Sequence, residues 1–164
     1  MCMRIIITGG TFDKQYDEIK GELTFKDSHL PKILEQARVT AQIALEINQL
    51  TDSLYMTDEH RQRILVSCQA APETTIVIVH GTDTMVETAR LLGQANLGKT
   101  IVLTGAMIPY AVNGSDSLFN LGYSVSAAQL LPAGVYIAMN GRTFPWDNVR
   151  KNREKGAFEP LLNT

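Results

Sequence analysis

Short apolar runs recur along the chain, separated by segments whose apolar residues have helical spacing. The runs are rich in isoleucine and valine and mostly lack alternating polar positions, which is typical of strands buried on both faces. They predict strands at Arg4–Thr8, Thr75–Val79, Thr100–Thr104 and Gly134–Met139. A further strand is predicted at Gln42–Ile47, where apolar and polar residues alternate weakly.

The segments between these runs predict helices. Thr57 has the character of an N-cap, with the acidic residues Asp58 and Glu59 in the first turn that follows it. The predicted helices are Leu30–Arg38, Thr84–Gln94, Ser115–Leu130, and one that runs from Thr57 to about Ala70. The polar segment Phe12–Asp27 predicts a loop, with a short hairpin around Gly21.

Strands that alternate with helices predict an α/β fold, because each helix returns the chain to begin a neighbouring parallel strand. We expect three layers, a mostly parallel sheet with helices on both faces, as in Rossmann-like and flavodoxin-like proteins. At 164 residues, the chain is expected to form one domain, 1–164.

In a parallel sheet, functional residues gather where the carboxyl ends of the strands meet. This rule selects segments that are rich in small and hydroxyl-bearing residues: Thr8–Thr11, Ser53–Asp58, His80–Asp83 and Gly105–Tyr110. The sequence therefore predicts a site built from these strand ends.

Composition and charge exclude several classes of protein. The chain carries 15 basic and 17 acidic residues, a formal net charge of -2, and has no long basic block for binding nucleic acid. No apolar stretch approaches the roughly 20 residues that span a bilayer, and the short run Ile5–Ile7 is unlike a signal peptide. We therefore expect a cytoplasmic protein that binds neither nucleic acid nor a membrane.

The cysteine and histidine residues show no spacing typical of a metal site. Cys2, at a terminus expected to be mobile, and Cys68, in a helical segment, are expected to be reduced thiols. His29 and His60 are expected on the surface or in helices, and His80 is expected to be a structural residue at a strand end. We predict neither a metal nor a cofactor.

The turn TGGT at 8–11 ends the first predicted strand and leaves three interpretations open. It can simply end the strand. It can cradle a phosphate, although it lacks the Lys-Ser/Thr ending of a P-loop and the G-x-G-x-x-G pattern of a dinucleotide site. It can also hold the hydroxyl of Thr11 in an exposed turn, because glycine permits backbone geometry that other residues resist.

A second Gly-Thr pair follows another strand, in HGTD. Asp83 fits the N-cap of the next helix and Thr82 fits a turn residue, which explains either residue alone. Two strand ends that each present a threonine suggest nucleophilic chemistry, for which the hydroxyl needs a proton acceptor or a charged neighbour. Lys151, in the polar tail RTFPWDNVRKNREKG, either belongs to a solvated face or reaches back to Asp83.

Five segments occur in a fixed order along the chain: TGGTFD, HGTDTMVETA, LTGAMIP, GSDSLFNL and DNVRKN. In this combination they closely resemble the bacterial-type L-asparaginases, which include asparaginase-glutaminases. The resemblance extends from residue 8 to beyond residue 151. It implies hydrolysis of the side-chain amide of L-asparagine through an acyl-enzyme, without a cofactor.

The resemblance implies a role for each matching residue. Thr11 corresponds to the nucleophile that attacks the amide carbon. Thr82 corresponds to a second threonine, which works with Asp83 and Lys151. Asp83 also corresponds to the residue that contacts the α-amino group of the substrate, and Ser53 to a serine that holds the α-carboxylate.

The resemblance also points to a tyrosine and to backbone donors. Tyr16 is the only tyrosine in the segment after TGGT and matches the family tyrosine that activates the nucleophile. Backbone N–H groups near the Gly9-Gly10 and Gly81-Thr82 turns are the expected oxyanion donors. Gly10 and Gly81 are therefore expected to contact the substrate.

The chain departs from the family pattern in two ways. Family members are about twice as long, and their small C-terminal domain contributes to the active site of a neighbouring subunit. This chain ends at Thr164 and is expected to be a short, single-domain form. Leu54 stands where many members carry a glutamine that helps to hold the substrate.

The expected function is hydrolysis of free L-asparagine. Alternatives are hydrolysis of another small amide such as L-glutamine, a subunit that releases ammonia for a partner, and a non-catalytic amino-acid-binding module. A pure binding module has no need for Thr11, Thr82 and Lys151 together. We expect a homo-oligomer, a dimer or tetramer, because a neighbouring chain would shield the site from water. Helix Ser115–Leu130 and segment Gly105–Ala111 are the expected contact surfaces.

Overall fold

The computed structural model describes residues 2–161. The strands in this range, in chain order, are β1 (Cys2–Gly9), β2 (Gln15–Asp17), β3 (Glu22–Thr24), β4 (Gln42–Thr51), β5 (Thr75–Val79), β6 (Thr100–Thr104), β7 (Gly134–Met139), β8 (Arg142–Pro145), β9 (Arg150–Asn152) and β10 (Ala157–Glu159). The helices are α1 (Leu30–Gln36), α2 (Asp58–Ala70), α3 (Met85–Ala95) and α4 (Ser117–Leu130). None of these helices combines the length and the apolar composition needed to span a bilayer.

Six strands form one sheet, in the order β4-β1-β5-β6-β7-β8. The first five are parallel to their neighbours, and β8 is antiparallel to β7. The remaining strands form two antiparallel pairs outside this sheet, β2 with β3 and β9 with β10. The prediction of a mostly parallel sheet in an α/β fold is confirmed.

The sheet is covered by helices on both faces, because successive side chains of a strand point in opposite directions. On one face, Ile6 packs in a cluster with apolar residues of α2 and α3. On the other face, Ile5 and Ile7 pack in a second cluster with apolar residues of α1 and α4. The isoleucine run of β1 is thus buried throughout, which explains why this strand shows no polar alternation.

Helix α2 begins at its predicted cap, whereas α4 begins two residues after its predicted start at Ser115. The Thr57 hydroxyl accepts the N–H of His60, and Nδ1 of His60 accepts the N–H of Thr57, which makes a capping box. Helix α4 begins at Ser117, later than predicted. Ser115 lies before the helix, and its hydroxyl accepts the N–H of Ser117 at 3.0 Å.

Other regions correct or confirm the sequence expectations. Strand β4 is longer than predicted and continues to Thr51, and Asn48 and Gln49 of this edge strand donate hydrogen bonds to α2. The polar tail forms β8, β9 and β10, which the sequence does not predict because these strands are short and rich in charged residues. Cys2 lies in β1 and not in a mobile terminus. The predicted hairpin around Gly21 is confirmed as β2 and β3.

The connections change direction across the sheet between β1 and β5. After β1 the chain passes through α1 on one face to β4, whereas after β5 it passes through α3 on the opposite face to β6. The carboxyl ends of β1 and β5 therefore border the crevice where open α/β sheets usually bind ligands. TGGT ends the first of these strands, and HGTD follows the second.

Candidate active site

The turn after β1 packs against the turn after β5, backbone against backbone. Gly9 and Gly10 have φ angles of +98° and +78°, in the region that favours glycine. A side chain on Gly10 would overlap the main chain of Gly81, so this close approach requires a glycine. The contact brings the segment of Thr11 next to the segment of Thr82.

Strand β9 supplies a cation to the turn after β5. Nζ of Lys151 donates to Oγ1 of Thr82 at 2.9 Å and to Oδ1 of Asp83 at 2.8 Å. The Lys151 side chain is 11% exposed, and Thr82 is buried. Val149 lies two residues before Lys151, and Phe158 lies opposite Lys151 on β10. Both side chains are buried in the core and hold β9 in place. Lys151 therefore reaches back to Asp83 and does not belong to a solvated face.

Asp83 contacts two cations through one oxygen atom. Nη1 of Arg153 donates to the same Oδ1 atom at 2.9 Å, and its Nη2 donates to the Asp83 carbonyl oxygen at 3.1 Å. Burial raises the pKa of Asp83, but the hydrogen bonds and charges of Lys151 and Arg153 outweigh it, so the pKa lies below its ordinary value. Sequence reasoning did not select Arg153, because a residue in a charged run is usually solvated.

Ser53 lies beneath the turn that carries Thr82. It is fully buried, and its Oγ accepts the N–H of Thr84 at 3.3 Å. The Thr84 hydroxyl donates to the Ser53 carbonyl oxygen at 2.8 Å. A side chain on Gly81 would overlap Ser53, so this glycine is also needed for close packing. The predicted carboxylate-binding serine is thus next to the turn, and among the described residues its Oγ atom acts as an acceptor.

Tyr16 stands apart from this cluster. It lies on β2 opposite Leu23 of β3, and it is 62% exposed. In the part of the chain that the structure describes, no hydrogen bond joins Tyr16 to Thr11. The structure therefore does not bring this tyrosine together with the other predicted site residues.

The expected oxyanion donors divide into engaged and free N–H groups. The N–H of Gly10 donates to the carbonyl oxygen of Thr51 at 3.1 Å, which closes the turn. It is therefore not free to bind an oxyanion, which corrects that part of the expectation. Between residues 2 and 161, no main-chain hydrogen bond engages the N–H of Gly81 or Thr82, which leaves these two groups as the candidate oxyanion donors.

A buried histidine supports the turn after β5 from below. Nδ1 of His80 lies 2.7 Å from the carbonyl oxygen of Gly81, and Nε2 lies 2.8 Å from the Thr88 hydroxyl. A carbonyl oxygen can only accept, which assigns the ring proton to Nδ1. Burial lowers the pKa of His80 to about 4, so the ring is neutral near pH 7. His80 is thus a structural residue, as its position at the strand end predicts.

The segment after Thr11 is fixed at two points. Asp13 is buried and accepts the Ser28 hydroxyl and the His29 N–H, each at 2.8 Å. Burial raises the pKa of Asp13, and these two hydrogen bonds oppose the shift. Lys14 pairs with Asp52, the residue before Ser53, with Nζ 2.5 Å from Oδ2. These contacts tie the start of the loop to α1 and to the end of β4.

A second polar cluster lies beside the carboxyl ends of β6 and β7. Oδ1 of Asp116 accepts the N–H groups of Met107 and Ile108 at 3.0 Å. Its Oδ2 accepts the side-chain amides of Asn120 and Asn140 at 2.9 and 3.0 Å. Burial raises the pKa of Asp116, but these neutral donors outweigh it, so the pKa lies below its ordinary value.

Neither a metal cluster nor a disulfide appears in the described chain. Among residues 2–161, no three histidine, cysteine, aspartate or glutamate side chains are grouped as metal ligands. Cys2 is exposed and Cys68 is buried, and both are free thiols. Burial raises the pKa of Cys68 to about 12, so this thiol stays protonated near pH 7.

Together, the fold and the site define a class of protein. An α/β sheet carries, at its switch point, a threonine hydroxyl held by an ammonium group that a carboxylate orients, with a second threonine on the adjoining turn. The family described as "Asparaginase, N-terminal" matches residues 3–159, and the chain belongs to this family.

Curated relatives include proteins of two kinds. The L-asparaginase 1 of Escherichia coli (strain K12) is 32% identical over 162 residues, which cover 93% of this chain and 48% of that protein. A glutamyl-tRNA(Gln) amidotransferase subunit of Saccharolobus islandicus is 33% identical over 143 residues, which cover 80% of this chain and 31% of that protein. The chain thus spans about half or less of the length of these relatives.

Solved structures with the same fold include two L-asparaginases. The thermostable L-asparaginase from Thermococcus kodakarensis superposes with a TM-score of 0.84 and 27% identity, over 98% of this chain and 51% of that chain. The L-asparaginase I from Vibrio cholerae superposes with a TM-score of 0.85 and 28% identity, over 97% of this chain and 51% of that chain. The α/β arrangement described above is therefore the one found in these enzymes.

Proposed function

We propose that the chain hydrolyses the side-chain amide of L-asparagine to L-aspartate and ammonia. The observation that carries this proposal is the contact of Lys151 Nζ with both the hydroxyl of Thr82 and the carboxylate of Asp83. A binding module would need a carboxylate for an amino group, but it would not need a lysine held against a buried hydroxyl. The family and the L-asparaginases among its relatives supply the class of substrate.

In the proposed reaction, Oγ of Thr11 adds to the side-chain amide carbon, and its proton is passed on to the departing nitrogen. The C–N bond breaks, ammonia leaves, and an ester joins the acyl group to Thr11. A water molecule then cleaves the ester, which releases L-aspartate and restores the hydroxyl. Lys151 would move protons in these steps, with Asp83 orienting its ammonium group, and its contacts with the Thr82 hydroxyl and the Asp83 carboxylate support this role.

The substrate's head group and oxyanion are assigned to neighbouring groups. Asp83 would accept the α-ammonium group, and the Ser53 hydroxyl would donate to the α-carboxylate. The N–H groups of Gly81 and Thr82 would stabilise the oxyanion, since no main-chain hydrogen bond of the described chain engages them. Tyr16 would act on the nucleophile after movement of the exposed hairpin that carries it, which packs outside the main sheet.

Ammonia release from L-asparagine and from L-glutamine tests the proposal. We expect Thr11→Ala and Thr82→Ala each to lower kcat by about 10²–10⁴-fold, because each removes a hydroxyl from the reacting set. Thr40→Ala is the matched control, since this threonine is exposed in the segment after α1. Full activity in either site variant, or an equal loss in the control, would contradict the proposal.

The same experiment separates the remaining functions. Release of ammonia from L-glutamine alone would assign the chain to another amide substrate. Absence of any turnover, with L-asparagine still raising the melting temperature, would indicate a non-catalytic binding module. A partner-dependent release of ammonia would indicate an amidase that works within a larger assembly, the kind of arrangement that the amidotransferase relative's name describes.

The proposal includes self-association, as a dimer or tetramer, in the cytoplasm. Two free cysteines suit a reducing compartment. Exposed apolar side chains on α4 and on the segment after β6 support an interface there: Met107, Ile108, Leu118 and Phe119. Sedimentation should show an oligomer that Phe119→Ser weakens, whereas a sharp monomer at micromolar concentration would contradict it.

A further inference from the structure

Two cations share the carboxylate that would receive the substrate's amino group. Oδ1 of Asp83 lies 2.8 Å from Nζ of Lys151 and 2.9 Å from Nη1 of Arg153. The two cations differ in burial, because the Lys151 side chain is 11% exposed and the Arg153 side chain is 62% exposed. Lys151 lies on β9, whereas Arg153 lies in the turn that follows this strand.

The charge count makes this arrangement unfavourable for a third cation. The negative charge of Asp83 already faces the positive charges of Lys151 and Arg153, so the cluster has a net positive charge. An α-ammonium group that approaches Asp83 is therefore repelled. Withdrawal of one of the resident cations would therefore favour the binding of the ammonium group. Lys151 is held by the strand and by Thr82, so it is poorly placed to leave.

Arg153 is the cation that can leave. Within the described residues, its hydrogen bonds go to Asp83 alone, one to the carboxylate and one to the main-chain oxygen. Exposed ion pairs contribute little net free energy, because water and dissolved salt compete with them. When Arg153 swings into solvent, the pair of Lys151 and Asp83 stays in place.

We propose that Arg153 is a specificity-determining residue that competes with the α-ammonium group of a ligand for Asp83. This inference rests on the proposed function, since it takes an α-amino acid amide as the substrate. A ligand with an α-ammonium group is opposed by the charge of the guanidinium, whereas the same ligand without that group is not. Arg153 therefore lowers the affinity for α-amino acids selectively.

The test compares ligands that differ only in the α-amino group. For Arg153→Gln, we expect Kd for L-aspartate and KM for L-asparagine to fall by about 2- to 5-fold, the range that exposed ion pairs span. The Kd for succinate and the KM for succinamate, which lack the amino group, should stay within about 1.5-fold, because Arg153 has no ammonium group to oppose. Calorimetry gives Kd, and ammonia release gives KM and kcat.

Arg150→Gln is the matched control. Arg150 lies on the same hairpin, is 61% exposed, and pairs with Glu159 and not with Asp83. Arg150→Gln removes the same charge from the same hairpin but does not alter a contact of Asp83. The two Kd values and the two KM values should therefore stay unchanged. An equal shift in this control would mean that net charge, and not the contact with Asp83, is responsible, and would overturn the inference.

Two further outcomes are decisive. Weaker binding of both L-aspartate and succinate to Arg153→Gln would show that Arg153 binds a ligand carboxylate, which overturns the inference. Failure of the parent chain to bind L-aspartate at all would also overturn it. A parent that binds L-aspartate but releases no ammonia would defeat the proposed hydrolysis alone, and the calorimetric comparison would still decide the role of Arg153.

Discussion

Asp83 and Asp116 lie at the same edge of one sheet, and both have a pKa below the ordinary value. Asp83 reaches this state through two cations, one of which also touches a buried threonine hydroxyl. Asp116 reaches it through main-chain and amide N–H groups, which are neutral and fixed in place.

The comparison shows that a lowered pKa does not by itself mark a reactive carboxylate. A cation that a carboxylate shares with a hydroxyl can exchange protons during a reaction, and the proposed hydrolysis depends on this arrangement at Asp83. Neutral N–H donors have no proton to exchange near pH 7. Asp116 therefore holds the shape of the loop after β6, much as a capping residue holds the end of a helix.

Removing the cation next to Asp83 is expected to give the largest effect. Lys151→Met should lower kcat for ammonia release by about 10²–10⁴-fold, because the proposed proton-transfer group is lost. Asp83 keeps Arg153 as a partner, so the variant should stay folded. Lys155→Met, on the same hairpin and 72% exposed, is the control and should keep full activity. Equal activity in Lys151→Met and Lys155→Met would contradict the view that Asp83, unlike Asp116, takes part in the reaction.

Acid should lower the free energy of unfolding through His80, which supports the turn that carries Asp83. The pKa of His80 is about 4 in the folded chain and near 6.5 when unfolded, so between these values the unfolded chain binds a proton that the folded chain does not. The free energy of unfolding should therefore fall as the pH falls through this window, by about 3 kcal/mol from this residue.

Urea unfolding between about pH 7 and pH 4.5 measures this dependence. His80→Gln removes the titrating ring and should flatten the slope. His60→Gln is the control, because glutamine can replace His60 in its capping box while the slope of the parent is kept. An unchanged slope in His80→Gln would show that other groups dominate the acid sensitivity.

Asp116→Ala should affect stability and leave chemistry almost untouched. Several N–H donors lose their acceptor, so we expect the free energy of unfolding to fall by about 1–3 kcal/mol near neutral pH. Because the folded pKa is depressed, this deficit should be present above the unfolded pKa and shrink as the pH falls below about 4. Urea unfolding and ammonia release together check it, and a loss of kcat as large as that of Lys151→Met would contradict the comparison.

The smallest expected effect concerns the ion pair of Lys14 with Asp52. Its side chains are 20% and 22% exposed, so Lys14→Met should change the free energy of unfolding by about 1 kcal/mol or less. KM for L-asparagine should rise a few-fold, since the pair ties the loop after Thr11 to the residue before Ser53. Lys20→Met, in the same loop but exposed, should change neither quantity. A rise in KM for both variants would point to charge alone.

The fold was predictable where burial decides the sequence. Thr75–Val79, Thr100–Thr104 and Gly134–Met139 have the predicted bounds, because strands covered on both faces are continuous apolar runs that end abruptly. The edge strand β4 and the hairpin β9–β10 have partly solvated side chains. Their sequences therefore include polar residues, which interrupt the apolar pattern that predicts a strand. Their pairing depends on contacts with distant segments, which periodicity does not report.

The site was predictable to the extent that short motifs carry it. Turn sequences and the resemblance selected Thr82, Asp83 and Lys151, which the structure brings within hydrogen-bonding distance. Arg153 was missed because its partner is set by the turn after β9 and not by any local pattern. The engagement of the Gly10 N–H by Thr51 was missed for a similar reason, since it depends on the register between β1 and β4.

The cation that completes the site comes from far along the chain, since Lys151 and Asp83 are 68 positions apart. During synthesis on the ribosome, the segments of Thr11, Ser53 and Thr82 emerge well before the hairpin β9–β10. The sheet can begin to assemble while the Thr82 hydroxyl still lacks its contact with Lys151, because contacts between distant segments form late. The onset of ammonia release in nascent chains of increasing length would therefore report when this hairpin docks.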